Sequence, residues 1–170
     1  MITKSLVSLF LTFVSMQVFA FPCFYTLAKD SCWTNYDVKV NVLDSVTNKI
    51  LLTIEVPNGQ SWTRKEFDCH IAQSLMYQAT FEPVFWQSEV GKSYNALRYW
   101  FLPGSIGQGV TAWEIPVCFP ADFASVPFPP DATGNCKCDF KSIPPVKPQP
   151  PSSSQPASPQ PASSPQPASP

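Results

Sequence analysis

The sequence predicts an all-β fold: a single antiparallel β-sandwich stapled by disulfides, followed by a disordered proline-rich tail. A small β-barrel is the alternative closure of the same strands. Three observations lead there. Apolar and polar residues alternate at period two in several stretches between residues 36 and 119, the pattern of half-buried strands. Six cysteines, an even number, all follow a leader-like N-terminus, which reads as a disulfide framework in an oxidising compartment. Residues 143–170 carry almost no charge and almost no large apolar side chain, so they cannot offset the entropy of becoming ordered.

Taken in order, residues 1–20 read as a signal peptide. Lys4 gives the positive start, residues 5–16 are a short apolar run, and Val18-Phe19-Ala20 precedes the expected cut. The run is short for a membrane span, so no transmembrane span is expected after cleavage. The expected location is secreted or periplasmic.

Residues 21–142 form the predicted β domain. Residues 21–35 show no clear period and read as an N-terminal arm held by Cys23 and Cys32. In residues 36–44, Val38, Val40 and Val42 share one face while Asp37, Lys39 and Asn41 share the other. Residues 49–56 return as the partner strand, with Ile50, Leu52, Ile54 and Val56 on one face. Pro57-Asn58-Gly59 is turn chemistry. Residues 61–74 fit a strand or a short helix, and the β context favours a strand.

Three further strands are expected at 75–86, 94–102 and 110–119. The first puts Leu75, Tyr77, Ala79 and Phe81 on its inner face, and Pro83 marks a bend or an edge. The second is apolar on both faces from Leu97 onward: Arg98 and Trp100 lie on one face, Leu97, Tyr99 and Phe101 on the other. It is either a covered central strand or a strand that shows aromatics to solvent. In the third, Pro116 points to an edge position. Beyond Pro120 the chain reads as an extended segment laid over the domain.

The cysteines Cys23, Cys32, Cys69, Cys118, Cys136 and Cys138 allow 15 pairings. Cys136 and Cys138 are too close to bridge each other without strain, so two different partners are expected. From residue 143 the chain is the predicted tail, with three near-copies starting Gln-Pro-Ala-Ser at 155, 160 and 166. That composition favours extended polyproline II conformations.

Charge and motifs exclude more than they assign. The formal net charge is −1 and 14% of residues are charged, without the basic patch that nucleic acid requires. The single histidine, His70, follows Cys69, but neighbouring residues diverge in direction and an exported cysteine is expected to be oxidised. Cys136-Lys137-Cys138 resembles a soft-metal pair, with structural disulfides as the competing reading. Glu55, Glu66, Glu82, Glu89 and Glu114 show no spacing that singles out a catalytic pair. No catalytic residue, cofactor or metal is therefore expected.

What remains is a binding surface. Trp86, Arg98, Tyr99 and Trp100 are the candidate ligand-binding residues, with Trp86 and Trp100 brought together if their strands pair as a hairpin. Core packing would account for the same aromatics. The expected function is an exported, non-catalytic binding or interaction module. A secreted hydrolase with an unrecognised site, or a component of an envelope or surface assembly, is the alternative. The expected partner is a protein, peptide or carbohydrate.

Overall fold

The structure is a computed structural model and describes residues 20–147. The predicted signal segment through Phe19 and the repeats beyond Lys147 lie outside the described residues.

Two sheets pack over one core. The first has the order β4 (Trp62–Cys69), β1 (Phe21–Lys29), β8 (Trp113–Phe119). The second has the order β3 (Ile50–Val56), β2 (Asp37–Asp44), β5 (Ser74–Glu82). Two short strands, β6 (Tyr94–Asn95) and β7 (Trp100–Phe101), both pair with β5. This is the predicted sandwich, with one correction. β1 runs parallel to β8 and antiparallel to β4, so the first sheet is mixed.

The second sheet follows its alternation closely. Val38, Val40 and Val42 of β2 are fully buried, as are Leu75 and Ala79 of β5, with Tyr77 and Phe81 nearly so. Each fully buried aliphatic side chain contributes about 1.5–3 kcal/mol. β3 breaks the pattern. Ile54 and Val56 are buried, but Ile50 is exposed. The cause is a bulge: Val42 pairs with Leu52, while Leu43 pairs with Ile50, so Leu51 is the extra residue. One inserted residue turns the rest of the strand to its other face.

The larger correction concerns residues 21–35, read from sequence as an arm. They form the central strand of the first sheet and the centre of the core. Cys23, Tyr25 and Leu27 are fully buried, and Thr26 and Ala28 on the other face are buried as well. A strand covered on both faces does not alternate, which is why no period was visible. Thr26 is covered by an ion pair: the Arg64 guanidinium meets Glu114, Arg64 Nε donates to Thr26 Oγ1 at 2.8 Å, and Thr26 Oγ1 donates to Glu114 at 3.1 Å.

After β1 the chain turns through a short 3-10 helix, Ser31–Trp33. Asp30 caps it by accepting from the Cys32 N–H at 2.9 Å. This turn drops Trp33 between the sheets. Its ring centroid lies 4.7 Å from that of Phe119, 4.8 Å from Phe81 and 5.1 Å from Tyr36, each edge-on. Lys29, only 3% exposed, points its ammonium at the carbonyls of Tyr36, Pro57 (2.9 Å) and Thr34 (3.4 Å). It thereby ties β1 to the turns that flank β2 and β3. Gly59 takes φ 79°, the left-handed conformation a turn at this point needs, and its N–H donates to Thr34 O at 2.8 Å.

Three disulfides close the domain: Cys23–Cys69, Cys32–Cys136 and Cys118–Cys138. Cys136 and Cys138 take different partners, as their spacing requires. They fix the segment after β8 to β8 itself and to the Asp30–Trp33 turn. Each bridge contributes on the order of 2–4 kcal/mol. Ile143, assigned from sequence to the tail, is 9% exposed, and Pro144 O accepts from Arg64 Nη1 at 2.8 Å. The chain thus stays on the outer face of the first sheet beyond residue 142.

Candidate ligand-binding edge

The predicted strand at 94–102 is really two short pieces with an irregular link. Tyr94 and Asn95 pair with Ala79 and Gln78. Trp100 and Phe101 pair with Leu75 and Ser74. Between them the backbone leans on the turn after β8: Ala96 bridges Phe123, Leu97 N–H donates to Asp122 O at 2.9 Å, and Ala124 N–H donates to Asn95 O at 2.8 Å. Among the described residues β7 has a strand partner on one side only, so it is an edge there.

Side-chain alternation survives across the link. Leu102 is buried, Trp100 is half-buried against the core, and Arg98 lines a cleft with Tyr77 and Asp122. The other face turns to solvent. Leu97 is 64% exposed, Tyr99 54% and Phe101 71%. Of the two expectations for this strand, exposed aromatics describe it. Ile106 and Val110, in the loop that follows, are exposed too.

The four residues named from sequence do not form one group. Arg98, Tyr99 and Trp100 lie together on the edge. Trp86 lies beyond the Glu82 end of β5, whereas Trp100 pairs near its Ser74 end. The Trp86 ring is edge-on to Phe85, at 5.9 Å, and half-exposed. The two strands do pair antiparallel, Tyr94 with Ala79 and Trp100 with Leu75, but this register sets Trp100 at the far end of β5 from Trp86, and the connection between them makes a 3-10 turn, Gln87–Glu89. There Glu89 accepts from Ser88 Oγ and Lys92 Nζ and from the Tyr94 hydroxyl. The Tyr94 bond and the two smaller ones hold the Glu89 carboxyl below its ordinary range. Leu97, Phe101 and Asp122 were not singled out from sequence. The shared parity of Leu97, Tyr99 and Phe101 was the available signal, but parity alone does not say which face meets solvent.

The catalytic and metal candidates separate. Cys69 is bonded to Cys23. His70 Nδ1 is buried with no hydrogen-bond partner among the described residues, so no carboxylate orients the ring through that nitrogen there. Asp30, Cys32 and Cys136 lie close enough for a metal, but the two sulfurs are bonded to each other. Glu55 pairs with Lys39 and Glu114 with Arg64. A second concavity, about 490 Å3, lies between Arg64, Glu114, Phe140 and Pro144. Its wall is the chain's own C-terminal segment. No protein-family model, curated protein or solved structure matches this chain.

Proposed function

We propose that the domain is an exported, non-catalytic binding module that engages a protein or peptide along residues 97–101. The carrying observation is the exposed row Leu97, Tyr99 and Phe101, which ends on β7, whose outer edge is unpaired among the described residues. Exposed apolar side chains in one row raise the free energy of the isolated domain, and a partner that covers them recovers it. An open edge adds backbone donors and acceptors that an extended peptide can pair. Arg98 forms no ion pair among the described residues and adds a free cation beside the row. A carbohydrate partner loses support because the two-tryptophan platform is not assembled. Three disulfides, and no described helix long and apolar enough to cross a membrane, fit an extracellular or periplasmic setting.

A displayed random-peptide library tests this. Peptides should enrich on the native domain and lose binding to a variant carrying Leu97→Ser, Tyr99→Ser and Phe101→Ser. Peptides that bind both proteins equally would refute the edge as the binding surface.

A further inference from the structure

Tyr25 and Tyr77 meet edge-on between the two sheets, ring centroids 5.1 Å apart. Tyr25 is fully buried and Tyr77 is 3% exposed. Neither hydroxyl has a hydrogen-bond partner among the described residues. A buried hydroxyl left unpaired is costly, and buried polar groups in folded proteins nearly always find protein or water. Tyr77 also lines a narrow cleft of about 10 Å3 with Ala96, Arg98, Trp100, Val117 and Asp122. That is room for about one water molecule.

We propose that this cleft is a polar subsite for one neutral hydroxyl-sized group, held as a bound water that joins Tyr77 to Tyr25 under the cover of Trp100 and Arg98. Neutrality follows from the walls. Arg98 discourages a cation and Asp122 an anion, while the phenols can both donate and accept. Burial raises both phenols above their ordinary range, and Asp122 adds to the effect, so they remain protonated donors. Asp122 is itself fixed, since its Oδ2 accepts the Cys118 N–H at 2.7 Å. The site therefore sits directly behind the proposed binding edge, but it stands whether or not that edge takes a partner.

The sign of a stability change tests it. If a water satisfies both hydroxyls, Tyr77→Phe and Tyr25→Phe should each lower Tm, by roughly 3–6 °C for a domain of this size. The double variant should lose less than the sum of the two, because both residues share one water. Water–protein cross-relaxation in NMR should show a long-lived water beside the Tyr77 ring in the native domain and none in Tyr77→Phe. A rise in Tm in either single variant would mean the hydroxyls are dry and unpaired, and would overturn the proposal. Additive losses would overturn the shared water.

Discussion

Trp33 and Phe101 end up in opposite environments, though both lie in short, irregular pieces of chain. Trp33 is fully buried, ringed by Tyr36, Phe81, Phe85 and Phe119. Phe101 is among the most exposed large side chains described. Hydrophobicity does not separate them. The face each side chain takes does. Trp33 falls between the two sheets. Phe101 lies on the face of β7 that turns to solvent. Edge position alone does not expose a ring, since Phe119 on the edge strand β8 is fully buried. A ring's burial is thus decided by whether its face meets the opposite sheet, a property of the whole topology rather than of the local sequence.

Removing the buried partner of this comparison should have the largest effect. Trp33→Ala is expected to destabilise the domain by about 3–5 kcal/mol, measured by denaturant unfolding. A loss below about 1 kcal/mol would place Trp33 in a site that collapses easily.

Lys29 comes next, since it ties the same buried turn in place. Lys29→Met removes the donor to three carbonyls and should cost about 3 kcal/mol. The difference should also depend on pH. Burial lowers the Lys29 ammonium to about 8, so above that pH the unfolded chain binds the extra proton. The advantage of the native protein over Lys29→Met should therefore grow as pH rises from about 8 toward 10. A difference that shrinks over that window would mean the charged form is the one the fold favours.

A smaller effect is expected at the C-terminal boundary. Truncation after Ser142 removes the buried Ile143 side chain and the Pro144–Arg64 hydrogen bond, and should lower stability by about 1–2 kcal/mol. Truncation after Lys147 removes only the Pro/Ser/Ala/Gln repeats and should change it by less than about 0.5 kcal/mol. Equal effects in the two truncations would erase the boundary between docked segment and tail.

How much of this was legible in the sequence depended on covering. β2 and β5 each have one core face and one wetter face, so Val38–Val40–Val42 and Leu75–Tyr77–Ala79–Phe81 announced themselves. The edge position of β8 was written in Pro116. β1 was hidden because both its faces are covered, one by the core and one by the Arg64–Glu114 pair. Its parallel pairing with β8 joins residues far apart in sequence, which no local pattern encodes. The bulge at Leu51 was invisible for the same reason, since it exists only relative to β2. At the candidate site, Arg98, Tyr99 and Trp100 were singled out because aromatics cluster there, and the three lie together on one edge. Trp86 was grouped with them on an expected hairpin, which forms between β5 and β6 and β7 but in a register that leaves the two indoles at opposite ends of β5.

The smallest stability effect carries the central claim, that residues 97–101 form a surface kept for a partner. The direct measurement is the unfolding free energy of the Leu97→Ser, Tyr99→Ser, Phe101→Ser variant, set beside its capture of peptides selected on the native domain. Stability within about 0.5 kcal/mol of native, with capture lost, is the expected result. A fall of several kcal/mol would mean that these side chains belong to the core, and unchanged capture would mean that the partner binds elsewhere.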